Sequence, residues 1–188
     1  MARPRSDDRQ SAIMTAAIRV IASQGLGAPT ALIAKEAGVS NGSLFTYFAT
    51  KADLLNQLYV ALKMEAVAAA FDGLPTRSGI RGQMRYVWSH WLHWATSHPD
   101  KRRTLAQLGV SDEITADSHQ AGSRAFAGIA KLLERSRANG PMRNAPIGLV
   151  AAVMTGVAEA TIDFMMRDPA NADAHCATSF EAVWRMIA

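Results

Sequence analysis

Residues 33–51 read IAKEAGVSNGSLFTYFATK. Two short helical stretches are predicted around this run, Pro29–Ala37 and Asn41–Phe48, with a turn at Gly38 between them and Lys51 after them. Proline is tolerated in a first helical turn because its missing N–H would have no partner there anyway. Ser40 offers a side-chain oxygen to the free N–H groups that open the second stretch. Leu44 and Phe48, four residues apart, share an inward face, and Asn41, Gly42, Ser43 and Thr46 supply the outward one. Two short helices joined by a tight turn with glycine have the geometry of a helix-turn-helix. The second helix of such a unit lies in a groove about 12 Å wide, so it needs apolar anchors inside and small or hydrogen-bonding residues outside. The same periodicity also fits a small three-helix unit with a purely structural role.

Outward from this run the chain keeps helical spacing. Upstream, Ile13, Ala16, Ala17, Val20 and Ile21 form one apolar stripe that Gly25 and Gly27 bring to an end. Downstream, Lys51 opens a long segment with Leu54, Leu55, Leu58, Leu62 and Val67, which stops near Asp72-Gly73-Leu74-Pro75. Ile80 to His98 is a tryptophan-rich helix closed by Pro99. A short helix around Leu105 and Leu108 is predicted next, followed by an irregular polar region up to about Ala121. Phe126, Ile129, Leu132 and Leu133 mark a further helix. Pro146 to Met166 is apolar over most of its circumference, and a last helix carries Phe180, Val183, Trp184 and Ile187. No strand pattern is present, so the expected class is all-α with about nine helices. The expected organisation is an N-terminal three-helix domain, 1–52, and a larger antiparallel helical bundle, 53–188.

With 188 residues, the chain has room for one compact body or a small module on a larger one, at roughly 150 residues per domain. Its 49% hydrophobic content excludes a disordered body, and its 19% charged content is low enough to suggest apolar surface covered by a partner. Of the net +4, three charges fall in the first 51 residues, where Arg3, Arg5, Arg9, Arg19, Lys35 and Lys51 face Asp7, Asp8 and Glu36. That asymmetry favours an anionic partner for the N-terminal part. The single cysteine, Cys176, excludes an intramolecular disulfide and a cysteine-based zinc cluster and fits a reducing compartment. The charged start MARPRSDDRQ is not a secretory signal, and nothing is expected to cross a membrane, so the expected location is cytoplasmic.

The runs RQSAIMTAAIRVIASQG and IAKEAGVSNGSLFTYFATKADLL resemble the N-terminal domain of the TetR family of bacterial transcriptional regulators. The resemblance covers roughly residues 9–55 and implies roles residue by residue. It places Ser40 at the opening of the recognition helix, Asn41 at a variable base-reading position and Gly42 where the helix approaches DNA closely. Ser43 occupies a hydroxyl site, and Tyr47 and Lys51 match groups that meet phosphate and so position more than they specify. Phe45 stands where tyrosine is frequent, so a hydroxyl that reaches phosphate is missing. Ala28-Pro29-Thr30 replaces the usual threonine opening, leaving Thr30 to donate from the first turn. Thr46 completes the outward face. Arg3, Arg5 and Arg9 read either as a solvated start or as an arm reaching the duplex.

The remainder carries no catalytic pattern, and no enzyme activity, cofactor or metal is expected. His90 and His93 are three apart but lack further ligands at metal spacing. Glu134 and the pair Asp112 and Glu113 have no nucleophile to serve, while Glu159 and Asp163 read as solvated or rim charges. Trp88, Trp91 and Ala95 lie on one helical face near Met84 and Val87, a stripe that reads first as core. The family resemblance implies instead a bundle enclosing a small-molecule pocket, with Trp88, Trp91, Phe126, Met154 and Met165 as candidate wall residues. It further implies a homodimer through helices 146–166 and 171–187, binding palindromic double-stranded operator DNA as a repressor released by a small-molecule effector. The alternative is a helical ligand carrier or enzyme with a structural N-terminal unit.

Overall fold

Helix α1 (Ser6–Gln24) opens the part of the chain that the computed structural model describes, residues 6–188. Arg3 and Arg5 of the basic tail lie outside the described residues. Ile13, Ala16, Ala17, Val20 and Ile21 are buried along one stripe of α1, as their spacing predicts. Gly25 ends the helix with a left-handed φ of +81°, and its N–H bonds the Ile21 carbonyl at 2.8 Å. There follow α2 (Thr30–Glu36), α3 (Asn41–Tyr47), α4 (Lys51–Phe71), α5 (Ile80–Ser97), α6 (Pro99–Gly109), α7 (Ala116–Ala125), α8 (Ala127–Arg137) and α9 (Ile147–Arg167). A single 3-10 turn at Pro169–Asn171 leads into α10 (Ala172–Ile187). The described residues contain no strand, so the class is all-α, with ten α-helices where about nine were expected.

Two compact units emerge, and neither is continuous in sequence. One comprises the residues up to Lys63 together with Pro99–Gly122; the other comprises Met64–His98 and Ser123–Ala188. The first unit therefore extends beyond the expected N-terminal domain of 1–52 and takes in a segment distant in sequence. In the first unit, Ile13, Ile21, Ile33, Leu44, Phe48, Leu54, Leu55, Leu58 and Leu108 form one core. Helix α6 joins this unit through Leu108 in its core and through side chains that donate to carbonyls near the end of α1. The Thr104 hydroxyl donates to the Ile18 carbonyl at 3.1 Å and the Arg103 guanidinium to that of Ala22 at 3.3 Å.

Helix α7 occupies the region that was expected to be irregular, and its polar sequence ADSHQAGSRA explains the difference. Within it only Gly122 is buried, so there is no apolar stripe to read. Polar contacts at its start hold it instead. Thr115 caps it, its Oγ1 accepting from the Ser118 N–H at 3.2 Å. From α4, the Asn56 amide donates to the Glu113 carbonyl at 2.8 Å and accepts from the Thr115 N–H at 2.9 Å. A Cβ on Gly122 would come within 3.1 Å of the Tyr59 ring, so glycine permits the close approach of α7 to α4. The Tyr59 hydroxyl meets His119 Nδ1 at 3.2 Å, and burial raises the phenol's pKa and lowers that of Lys63.

In the second unit α5 packs against α8, α9 and α10, and α9 packs along α10. Met84, Val87, Trp88, Leu92, Val150, Met154, Ala158, Ile162, Met165, Phe180, Val183 and Ile187 are buried. The loop between α8 and α9 is folded around Arg137, whose guanidinium pairs with Glu134 at 2.8 Å and donates to the carbonyls of Met142, Arg143 and Ala145. The hydrogen bond from Arg137 holds the Glu134 carboxyl below its ordinary pKa. Gly140 is required there, because a Cβ would overlap the Ile187 carbonyl.

Both α4 and α9 are long and apolar enough to cross a membrane by length and composition, although neither is an uncharged apolar run of 18 residues. Glu159 and Asp163 interrupt α9 without lowering its mean hydropathy below that of a span. In α4 the leucines at 54, 55, 58 and 62 are buried in the core.

Asn56 makes a direct test of how α7 is held. Replacing it with alanine removes the partner of the Glu113 carbonyl and the Thr115 N–H, both exposed, and Asn56→Ala is expected to destabilise the protein by about 0.5–1.5 kcal/mol in urea unfolding.

Candidate nucleic-acid interface and ligand cavity

The turn between α2 and α3 is built from backbone hydrogen bonds. After Ala37, Gly38 takes a left-handed φ of +68°, its N–H bonding the Lys35 carbonyl at 3.1 Å while the Val39 N–H bonds that of Ala34 at 2.9 Å. This pair of bonds is a Schellman closure, and it requires a residue that accepts positive φ. Ser40 then caps α3, its Oγ accepting from the Ser43 N–H at 3.1 Å. The same hydroxyl donates to Ser43 Oγ at 2.9 Å. Both capacities of Ser40 are thus engaged by the helix, whereas Ser43 keeps its own O–H as a donor.

Leu44 and Phe48 are both 0% exposed and orient α3. Asn41, Gly42, Phe45 and Thr46 are exposed on it, while Ser43 and Tyr47 are half-buried. Tyr47 packs one side against the core of the unit. Thr30, the first residue of α2, is half-buried, and so is Lys51, the first residue of α4. No charged side chain lies in α3 itself; the nearest basic groups in sequence are Lys35 in the last turn of α2 and Lys51. Arg19 of α1 is paired with Glu36 at 3.2 Å.

The start of α4 is fixed by reciprocal capping. The Asp53 N–H bonds Thr50 Oγ1 at 3.0 Å, and the Asp53 carboxylate accepts from the Ala49 N–H at 3.0 Å. The other carboxylate oxygen accepts from Gln57 at 2.9 Å, and Gln57 accepts from Gln10 of α1 at 3.2 Å. This polar chain locks the element that carries Lys51 to α1. It escaped the sequence reading, although the spacing of Thr50 and Asp53 is a capping signal.

The second unit contains a cavity of about 90 Å³, partly open to solvent, among α4, α5, α8 and α9. Trp88, Trp91, Phe126 and Met154 lie together on its wall. Met165 does not: it is buried in the core, and eleven residues separate it from Met154, about 16 Å along the helix axis. The wall also contains Ala66, Val67, Ala70, Met84, Ile129, Ala151 and Thr155, small or aliphatic residues whose types carry no signal for a cavity. Trp88 and Trp91 meet edge to face at 6.1 Å, and the Trp88 indole N–H donates to Ser179 at 3.2 Å. No charged side chain lines the cavity.

His90, His93 and His98 each place Nδ1 on the carbonyl four residues earlier, at 2.9, 2.7 and 2.9 Å. Since a carbonyl only accepts, these nitrogens donate. Among the described residues no three His, Cys, Asp or Glu side chains are arranged to hold a metal. Cys176 is buried, and desolvation pushes its thiol up to about 11, so it stays protonated at neutral pH. On α9, Leu149, Val153 and Phe164 are exposed, with Gly156 and Ala160 on the same side, opposite Val150, Met154, Ala158 and Ile162. Phe164 is 55% exposed.

A capped helix-turn-helix near the start of the all-helical described residues is an arrangement used by DNA-binding regulators. Residues 13–58 match the family described as bacterial regulatory proteins, tetR family. Among solved structures, a tetR family transcription regulator from Shewanella sp. PV-4 is 28% identical, covering 94% of this chain and 96% of its own, with a TM-score of 0.84. A TetR family transcription regulator from Marinobacter aquaeolei VT8 shares the fold at 20% identity, covering 96% and 95%, with a TM-score of 0.81. FadR from Bacillus subtilis, solved in complex with stearoyl-CoA, shares it at 17% identity, covering 95% and 99%, with a TM-score of 0.71. The chain thus matches the TetR family over residues 13–58 and shares the fold of solved TetR family transcription regulators.

The two glycines of the helix-turn-helix are expected to respond oppositely to alanine. Gly38→Ala forces a side chain into the left-handed region and lowers stability by about 1–2 kcal/mol. Gly42 has only Ser40 Oγ near a built Cβ, at 4.0 Å. Gly42→Ala is therefore expected to raise stability by about 0.5–1 kcal/mol, both changes being read from thermal melts.

Proposed function

We propose that this protein is a homodimeric transcriptional repressor that binds a palindromic operator through α3 and leaves it when an uncharged apolar molecule enters the cavity of the second unit. The observation that carries this reading is Gly42. A glycine inside a helix costs about 0.5–1 kcal/mol against alanine, and nothing inside the chain needs the space. A surface arriving from outside accounts for it. In this reading Asn41, Phe45 and Thr46 face the base edges of the major groove, with Gly42 allowing close approach. Thr30, Ser43, Tyr47 and Lys51 donate to phosphates, and Ser40 serves through its cap. Arg9, together with Arg3 and Arg5, adds charge at the start of the chain.

The exposed apolar stripe of α9 supports dimerisation. Leu149, Val153 and Phe164, with Gly156 and Ala160 between them, form a surface too apolar to face water, and small residues on exposed positions of α10 (Ala174, Ala177 and Ala182) permit close helix approach. A second copy on this face gives a two-fold pair with two reading helices. The uncharged wall of the cavity supports an apolar effector. Helix α4 runs unbroken from Lys51 to Ala66 and Ala70 on that wall, so an effector that displaces its distal part acts on the element that carries Lys51. Release requires only that the effector bind the DNA-incompetent arrangement more tightly.

Fluorescence anisotropy with labelled duplex from the region upstream of the protein's own gene tests the reading. The wild type is expected to bind with affinity that falls steeply with salt. Lys51→Ala should weaken binding to all sequences and reduce the salt slope by about one. Gly42→Ala should bind poorly while melting no lower than the wild type. Specific binding that is indifferent to Gly42→Ala, Tyr47→Ala and Lys51→Ala would sink the assignment of α3.

A further inference from the structure

We propose that α3 selects A·T base pairs, with Asn41 bonding an adenine and Phe45 packing on the 5-methyl group of a thymine one or two steps away. The inference rests on α3 being the element that enters the major groove, and it specifies the base composition that element reads.

Three observations lead to it. First, α3 holds no Lys, Arg, Asp or Glu. The commonest partner of guanine in the major groove is a bidentate Arg or Lys, and cytosine is read by a carboxylate, so both readouts of a G·C pair are missing from this helix. Asparagine is the side chain that pairs bidentately with adenine N6 and N7, and Asn41 is exposed in the first turn.

Second, Phe45 is 42% exposed on α3, whereas Phe48, the residue that closes the helix, is completely buried. A phenyl ring has no atom to donate to phosphate and gains nothing from water. The apolar group that the major groove of ordinary duplex DNA offers is the thymine methyl. Thr46 adds to this surface: its hydroxyl turns back to the Gly42 carbonyl at 3.4 Å, and the residue is exposed.

Third, the spacing fits. Asn41 and Phe45 are four residues apart on one face, which puts their Cβ atoms about 5–6 Å from each other. Successive bases of a strand rise about 3.4 Å. The two side chains therefore address positions one to two steps apart.

The test uses the full-length protein and a site enriched from a random duplex pool. The enriched duplex is resynthesised with each thymine in turn replaced by uracil, which removes only the methyl group. One thymine per half-site is expected to weaken binding roughly fourfold on this change, the factor for one buried methyl group. A 5-methylcytosine·guanine pair at that position should keep the methyl-dependent part of the affinity relative to plain cytosine. Replacing the neighbouring adenine by 7-deazaadenine should weaken wild type and leave Asn41→Ala unchanged. Phe45→Ala should fold with a near-native melting temperature, since its ring is largely outside the core, and should no longer distinguish thymine from uracil. Equal binding of every uracil-substituted duplex, or discrimination that persists in Phe45→Ala, overturns the inference while leaving DNA binding intact. If the pool yields no enriched sequence, the DNA-binding reading itself fails and this inference with it.

Discussion

The outward surface of the first unit depends on the burial of two side chains. Leu44 and Phe48, both wholly enclosed, set the rotation of α3 about its axis, because turning it by one residue, about 100°, would bring at least one of them into water. Burying such a side chain is worth about 1.5–3 kcal/mol, far more than any hydrogen bond available to the exposed residues of this short helix. The polar face is consequently defined by what the apolar face cannot give up. Gly38 and the Ser40 cap orient the helix at its start, and the Asp53–Gln57–Gln10 chain secures the segment that follows.

The second unit shows the opposite economy of space. Protein interiors are normally filled to crystal-like density, so a cavity bordered by two tryptophans, two methionines and several alanines forfeits packing energy in the free chain. The room comes from Ala66, Ala70 and Ala151, where larger side chains would fill it. The Trp88 nitrogen is satisfied by Ser179, which leaves the remainder of the ring as an apolar wall. On the far side of α9, leucine, valine and phenylalanine remain at the surface of the single chain. Both features make the proposed partners, an apolar effector and a second copy, the groups that would recover the missing contacts.

Much of this was legible because it is local. The stripes of α1 and α3, the glycine turn and the serine cap arise from spacings of three, four and seven residues, and each appears where those spacings put it. The polar helix α7 was not legible, since its stability comes from Asn56 and Tyr59, some 60 residues away along the chain. Met165 lies off the cavity wall, and residue type cannot report how far along a helix a wall extends. The alanines of that wall were missed for a related reason: an alanine beside a cavity and one in a packed core look alike in sequence.

The sequence alone determined the helices and the face that each amphipathic helix turns inward, because backbone hydrogen bonding and apolar periodicity act within a few turns. Only the tertiary structure decided that α6 and α7 join the N-terminal unit, that Trp88, Trp91, Phe126 and Met154 share one space, and that Phe45 stays exposed. These outcomes depend on which distant surfaces meet, and a chain's periodicity contains the shape of each surface without naming its neighbour.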